Sequence, residues 1–203
     1  MDIQNFENTF KNFNGKIYLN YSVKKLNWFN IGGNAKIYFK PDTLQELIEF
    51  LKLYGSKEKL FVLGAGSNVL FKDDLFEGAI IKLTKNFSRI SLLNENTIVA
   101  GSGALDKTLS EFALKNSLGG FEFLSCIPGS IGGGIRMNSG CFEREFKDIL
   151  ISVQALNRSG EILTIPAKEI VFGYRSCDLN KDLIFLSATF KGNKKKKMRL
   201  RKK

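Results

Sequence analysis

The sequence predicts an α+β fold. Helical and strand patterns are interspersed along the 203 residues without the regular spacing of repeated βαβ units. After residue 148 the hydrophobic period becomes two, which is typical of strands paired in a hairpin. Hydrophobic residues make up 43% of the chain and aromatic residues 12%, enough for the buried core of one large domain or two small ones.

Two helices are predicted in the first 55 residues. The first covers residues 1–14 and ends at Gly15, because apolar side chains recur there at steps of three and four: Ile3, Phe6, Phe10 and Phe13. The second has Asp42 as its N-cap, Gln45 as the partner in a capping box, and Gly55 as its end. Its buried stripe is predicted to be Leu44, Leu47, Ile48 and Leu51.

The middle of the chain combines strands with a third helix. Short apolar runs predict buried strands at residues 60–63, 79–83 and 97–100. The third helix is predicted from residue 105 to residue 117 and is ended by Gly119 and Gly120. Its inward-facing residues are predicted to be Leu105, Leu109, Phe112 and Ala113.

The second half of the chain predicts a hairpin and a last strand. Apolar side chains alternate over residues 149–156, and the polar residues 157–160 then turn the chain into a second strand at 161–164. Residues 183–190, LIFLSATF, are mostly apolar and predict a last strand.

The residue types present exclude several kinds of chemistry. The chain contains no histidine, which excludes Ser-His and Cys-His catalysis and every histidine-ligated metal or haem site. Its three cysteines, Cys126, Cys141 and Cys177, form no C-x-x-C pair, which argues against a disulfide framework and a zinc site. Acid–base work therefore falls to other side chains, or an organic cofactor carries the chemistry.

The positive charge is concentrated at one end of the sequence. Of the net charge of +11, eight positive charges lie in residues 194–203, KKKKMRLRKK, a run typical of a solvated tail. We therefore expect no specific nucleic-acid partner. The sequence shows no apolar run long enough to span a bilayer and no secretory signal at Met1, so we expect no membrane partner and a cytoplasmic location.

Two glycine-containing segments are candidates for ligand binding. Residues 127–140 contain five glycines in fourteen positions, a composition that suits tight turns or a close approach of the backbone to a ligand. Residues 64–68, GAGSN, follow a predicted strand, where successive N–H groups can form an anion-binding nest. Val69 occupies the third glycine position of a Rossmann fingerprint, which excludes that motif. A surface loop and a plain turn remain the alternatives.

Four blocks of the sequence resemble one enzyme family. They are NWFNIGGNA at 27–35, LGAGSNVL at 63–70, GFEFL and IPGSIGG through MNSG within 120–140, and FGYR at 172–175. In this order they are similar to the UDP-N-acetylenolpyruvoylglucosamine reductases, also called UDP-N-acetylmuramate dehydrogenases. The resemblance extends from about residue 22 to residue 191.

The resemblance implies a fold and a domain arrangement. The fold is the FAD-binding fold of the vanillyl-alcohol-oxidase (PCMH) type, with the flavin between two α+β subdomains. On this basis residues 1–50 are predicted to form the first subdomain and residues 51–192 the second. Residues 193–203 are predicted to be a disordered basic tail, and the family's C-terminal substrate-binding domain is expected to be absent.

The resemblance also implies site residues. Residues 64–68 would cradle the FAD diphosphate, and residues 127–140 would line the ribityl chain and the isoalloxazine ring. Arg175 matches the family's catalytic arginine, which would stabilise negative charge on the substrate carboxylate. The predicted FAD-binding residues are Gly32, Gly33, Gly64, Gly66, Ser67, Asn68, Leu70, Ile127, Pro128, Gly129, Gly132, Gly133, Asn138 and Gly140.

The implied reaction uses two cofactors. NADPH reduces FAD, and the reduced flavin then reduces UDP-N-acetylenolpyruvoylglucosamine to UDP-N-acetylmuramate in the synthesis of peptidoglycan precursors. The family's proton-donating serine and assisting glutamate lie in the C-terminal domain, so turnover by this chain alone is in question. The alternative is a flavin-binding module without dehydrogenase activity, or half of a split enzyme whose other half is a separate polypeptide.

Overall fold

The computed structural model describes residues 10–11, 13–55 and 57–195, and these residues build two larger sheets and three two-stranded ones. The first sheet has four strands, β1 (Lys16–Ser22), β2 (Asn34–Lys40), β3 (Leu60–Val62) and β4 (Phe76–Ile81). Their order is β1-β2-β4-β3. β1 pairs antiparallel with β2, while β4 is parallel to both of its neighbours.

Helix α1 (Leu44–Tyr54) packs on the first sheet and begins one residue later than predicted. Its N-cap is Thr43 rather than Asp42, because Thr43 has the extended backbone and its Oγ1 accepts the N–H of Glu46 at 3.2 Å. Glu46 rather than Gln45 completes the capping box by accepting the N–H of Thr43 at 3.3 Å. Gly55 ends the helix with a φ of 90°, as predicted.

The Glu46 carboxylate also ties the start of the described chain to α1. Burial acts to raise its pKa, but hydrogen bonds from the backbone N–H groups of Asp42, Gly15 and Asn14 hold the pKa below its ordinary value. The predicted helix over residues 1–14 falls almost entirely on residues outside the described ranges. Within those ranges, Phe10 and Phe13 pack into the core under α1.

The second sheet has five strands, all antiparallel: β5 (Ile90–Asn94), β6 (Thr97–Gly101), β10 (Leu150–Leu156), β11 (Ile162–Pro166) and β14 (Ile184–Lys191). Their order is β11-β10-β14-β6-β5, so β14 is the central strand. The predicted hairpin is confirmed, since β10 and β11 pair antiparallel across the turn at 157–160.

Two helices cover the second sheet and form its core, α2 (Asp106–Lys115) and α3 (Ile131–Arg136). The prediction for α2 was wrong at both ends. Leu105 is 52% exposed instead of buried, and the helix stops at Lys115, with Ser117 taking the left-handed conformation at φ 58°. α3 lies inside the glycine-rich segment, where no helix was predicted.

Short elements complete the fold. Two-residue strands pair as β7 (Leu118–Gly119) with β15 (Asn193–Lys194), β8 (Gly140–Cys141) with β9 (Arg144–Glu145), and β12 (Phe172–Gly173) with β13 (Ser176–Cys177). Among the described residues, five short 3₁₀ helices lie at Lys24–Leu26, Lys85–Phe87, Glu122–Cys126, Phe146–Asp148 and Ala167–Glu169. Over the described ranges no helix has the length and apolar character needed to cross a bilayer.

The mixture of two sheets and packed helices confirms the α+β prediction. The predicted boundary between residues 50 and 51 falls inside α1, and the first sheet takes strands from both sides of it. We therefore propose that the two parts of the fold meet at residues 82–89, between β4 and β5. The core of α1 continues onto the second sheet through Leu156, Ile184 and Leu186.

Candidate functional site

A cleft of about 910 Å³ is lined by residues of both sheets and by the glycine-containing segments. Its lining comprises residues 61–69, 82, 83, 102, 103, 105, 126–130, 132–134, 136, 137, 139–141, 175, 183 and 185. The cleft therefore includes most of the predicted site: Gly64, Gly66, Ser67, Asn68, Ile127, Pro128, Gly129, Gly132, Gly133, Gly140 and Arg175.

The loop at residues 64–68 offers unpaired backbone donors to this cleft. Within the described part of the chain, none of its five N–H groups donates a hydrogen bond to the protein. The loop is fixed through its carbonyls instead, since Gly66 accepts the N–H of Trp28 at 3.1 Å and Gly64 accepts from the Lys82 ammonium. Gly66 has a φ of 78°, and a Cβ there would overlap the carbonyl oxygen of Leu26.

Helix α3 forms the opposite wall. Its first turn is held by hydrogen bonds from the N–H of Ile131 to the Ala104 carbonyl and from the N–H of Gly132 to the Ser102 carbonyl, both 2.9 Å. Ser130 contacts the loop across the cleft, because a Cβ on Gly64 would lie 2.6 Å from its Oγ. Gly133 differs from its neighbours: its Cβ position meets only the Ser130 Oγ, at 3.5 Å, and otherwise faces open space.

Arg175 reaches the cleft from the turn of the β12–β13 hairpin. It has a φ of 53°, unusual for a residue with a side chain, so the turn holds it in a strained conformation. Its Nη2 donates to the Gly140 carbonyl at 3.4 Å, and its guanidinium lies 5.6 Å from the ring of Tyr174. Tyr174 is 86% exposed and does not line the cleft.

Asn138, predicted to bind FAD, is fully buried behind the cleft wall. Its Nδ2 donates to the Glu145 carboxylate at 2.9 Å and to the Gly173 carbonyl at 3.2 Å. A hydrogen bond from Lys147 is the main cause that holds the pKa of Glu145 below its ordinary value, and the charge of Arg175 adds to it. Asn138 and Glu145 therefore connect the Arg175 hairpin to the segment that follows α3.

Three further predicted residues lie away from the cleft lining. Gly32 has a φ of 120°, and a Cβ there would lie 2.6 Å from the Cβ of Phe71. A Cβ on Gly33 would overlap the Asp73 carbonyl, so both glycines permit close packing of the segment at 71–73. Leu70 is 67% exposed. Gly32 and Gly33 were predicted because they lie in the first block that resembles the family, and Leu70 because it lies in the second.

Sequence reasoning missed several lining residues. Lys82, Ser102 and Phe185 belong to strand ends that carry no local motif. Arg136 also lines the cleft; its guanidinium donates to the carbonyls of residues 179, 180 and 183 and lies 4.2 Å from the Phe185 ring centre. Its position inside the third recognised block, within residues 120–140, was the available signal.

A buried carboxyl lies beside the cleft wall at the start of α2. Asp106 is fully buried, its side chain packs against Gly129, and neither carboxyl oxygen has a hydrogen-bond partner among the described residues. Burial raises its pKa to about 8, so the carboxyl is protonated at neutral pH. Over the described residues no cluster of three or more potential ligands suits a metal ion.

The comparisons first define the class of protein. A family model described as FAD binding domain matches residues 35–166, so the chain belongs to the FAD binding domain family. A solved cholesterol oxidase from Brevibacterium sterolicum shares the fold, with a TM-score of 0.63 over 91% of this chain and 39% of that one, at 16% identity. The predicted FAD-binding fold of the vanillyl-alcohol-oxidase (PCMH) type is confirmed.

Within that class, the chain is similar to UDP-N-acetylenolpyruvoylglucosamine reductases. It is 57% identical over 197 residues to the protein of that name from Pelagibacter ubique, covering 97% of this chain and 65% of the relative. The Rickettsia felis reductase is 47% identical over 180 residues, 89% of this chain and 61% of the relative. The solved reductase from Thermus caldophilus superposes with a TM-score of 0.77 at 27% identity, covering 91% of this chain and 64% of that one.

These relatives confirm the predicted resemblance to the FAD-binding portion of this reductase family. The chain spans less than two thirds of the length of the relatives it matches.

Proposed function

We propose that this chain provides the FAD-binding part of an NADPH-dependent UDP-N-acetylenolpyruvoylglucosamine reductase. The observation that carries the proposal is that three features line one cleft: the unpaired N–H groups of residues 64–68, the open face of α3 at Gly133, and the guanidinium of Arg175. The similarity to reductases of that name supports the choice of substrate.

The residues present fit FAD. A volume of about 910 Å³ lies within the range of pockets that hold cofactor-sized ligands. The free donors at 64–68 suit a diphosphate, which needs several hydrogen bonds from backbone N–H groups. Gly133 leaves room for a flat ring against the backbone of α3, and Ile127 and Pro128 add apolar contacts on the same side.

Arg175 would carry the part of the chemistry that belongs to this chain. FAD, when bound, supplies the exchange of hydride with NADPH and with the substrate. Addition of hydride to an enolpyruvyl double bond places negative charge on the atoms conjugated to the carboxylate. A guanidinium remains charged at any working pH and can bind that carboxylate through two N–H groups. Asn138 and Glu145 would hold the Arg175 hairpin against the cleft.

The two half-reactions test the proposal separately. Anaerobic stopped-flow measurements would follow flavin absorbance first with NADPH and then with UDP-N-acetylenolpyruvoylglucosamine. We expect NADPH to bleach the flavin, and recovery of its colour on addition of the substrate would show that this chain also carries the second half-reaction. Bleaching without substrate-dependent recovery would favour the alternative, a flavin-binding module that lacks dehydrogenase activity or requires a separate polypeptide.

Replacement of Arg175 by methionine tests its role. We expect Arg175→Met to slow substrate-dependent reoxidation of the flavin by about 10²–10³-fold, the usual cost of removing one preorganised donor, while FAD affinity changes little. Arg89→Met is the matched control, because Arg89 is exposed and does not line the cleft. An unchanged reoxidation rate in Arg175→Met would contradict the assignment.

A further inference from the structure

Lys82 is a cation in the cleft whose role neither the motifs nor the comparisons assign. It follows β4 directly, and its backbone N–H donates to the Phe39 carbonyl at 2.9 Å, which fixes the position of its Cα. The side chain extends to the loop at 64–68, where Nζ donates to the Gly64 carbonyl. Lys82 is therefore held beside the five unpaired N–H groups.

The ammonium of Lys82 has no acidic partner in the described structure. No carboxylate oxygen of a described residue lies within 4.0 Å of Nζ, whereas several exposed lysines, such as Lys36 and Lys147, form ion pairs. Burial, with the nearby charge of Lys40 in a lesser role, holds the pKa of Lys82 below its ordinary value. A half-buried cation without a counter-ion is unfavourable unless an anion enters the cleft.

We propose that Lys82 binds the diphosphate of FAD, together with the backbone N–H groups of residues 64–68. This inference rests on the proposed FAD site and adds to it a residue that supplies a full positive charge. One hydrogen bond to Gly64 leaves two of the three ammonium donors for phosphate oxygens. An ammonium is also a compact charge, which suits a phosphate better than the edge of a flavin ring.

Loss of the Lys82 ammonium should weaken the binding of FAD, which carries a diphosphate, but not the binding of riboflavin. We expect Lys82→Met to weaken FAD binding by about 10–100-fold, the value of a charge-assisted hydrogen bond, and to leave riboflavin binding unchanged because riboflavin has no phosphate. Lys82→Arg should retain most of the FAD affinity because it keeps the charge. Lys40→Met is the matched control, since Lys40 is a neighbouring lysine that does not line the cleft.

The measurement is titration of flavin fluorescence with FAD, FMN and riboflavin at several salt concentrations. Increasing salt should weaken FAD binding less in Lys82→Met than in the unsubstituted chain, because one ionic contact is missing. Equal losses of FAD and riboflavin affinity, or unchanged FAD affinity in Lys82→Met, would overturn the inference. Absence of FAD binding by the unsubstituted chain would overturn the FAD site itself. Thermal unfolding without ligand identifies any variant that fails to fold, and Lys82→Gln then replaces Lys82→Met.

Discussion

Gly133 is the residue of α3 whose missing side chain faces the cleft rather than the protein. A Cβ there is in ordinary contact with Ser130 alone, whereas a Cβ on Gly132 would lie 3.1 Å from the Cβ of Ser102. The chain therefore has room for alanine at position 133, a helical position where alanine is favoured over glycine by up to about 1 kcal/mol. We propose that a ligand occupies the space that a side chain at position 133 would fill.

Gly133→Ala should change stability and ligand binding in opposite directions, so it tests whether a ligand lies against α3. We expect it to raise the unfolding temperature without ligand by about 2–4 °C per kcal/mol gained, and to weaken FAD binding because its methyl group enters the cleft. Thr108→Ala, an exposed position of α2, is the control that gains helix propensity only. FAD affinity that is equal in the two variants would show that the ligand does not approach α3.

The buried carboxyl of Asp106 should make the stability of the folded chain depend on pH. Its pKa is about 8 in the folded chain and near the ordinary value of 3.8 when unfolded, so the folded chain holds an extra proton between these values. Stability therefore falls as pH rises from about 4 to about 8, and above that range the loss due to this group stays constant. Asp106→Asn removes the ionisable group, and its advantage over the unsubstituted chain should grow over the same interval.

Chemical denaturation at a series of pH values measures this advantage. We expect it to exceed about 1 kcal/mol at pH 7.5, since each unit of pKa shift corresponds to that order of free energy. Asp74→Asn is the control, because Asp74 is exposed and its carboxylate accepts no hydrogen bond from the described residues. A constant difference between the two variants across the pH range would contradict the assignment to Asp106.

At the scale of the element, the cap of α1 predicts different effects on stability for substitutions at positions 43 and 45. Thr43 and Glu46 form the capping box, while the Gln45 side chain is exposed and, among the described residues, donates a hydrogen bond to Glu49 alone. We expect Thr43→Ala to lower the free energy of unfolding by about 1 kcal/mol and Gln45→Ala to change it by a few tenths. Thermal unfolding measures both changes. A larger loss of stability in Gln45→Ala than in Thr43→Ala would favour the capping box predicted from the sequence, with Asp42 and Gln45. FAD affinity should be unchanged in both, since neither residue lines the cleft.

The elements also show which features the sequence was able to predict. The β10–β11 hairpin combined a period of two with a glycine turn, and both signals are local. α3 has three glycines in six residues and forms because Ala104 and Ser102 accept its first N–H groups and Ile131 and Ile135 are buried. β1 alternates partly buried and exposed residues, a pattern that was present in the sequence but too polar to stand out.

The residues of the candidate site also fall into two groups, those that local sequence patterns predicted and those that they did not. The loop at 64–68 and most residues of the segment at 127–133 were predicted, because glycine-containing segments resemble known blocks and lie next to each other in the fold. Lys82, Ser102 and Phe185 enter the cleft only through the pairing of strands distant in sequence. No local pattern in the sequence encodes that pairing.

At the scale of the whole molecule, the position of β14 has a consequence for biosynthesis. β14 ends at Lys191, yet it is the central strand of its sheet and separates β6 from β10. A ribosome adding about 5–20 residues per second has already completed the first sheet when β6 emerges. The apolar faces of β6 and β10 stay unpaired until β14, which joins them, has been synthesised. The nascent chain is therefore most exposed to aggregation between the emergence of β6 and the emergence of β14.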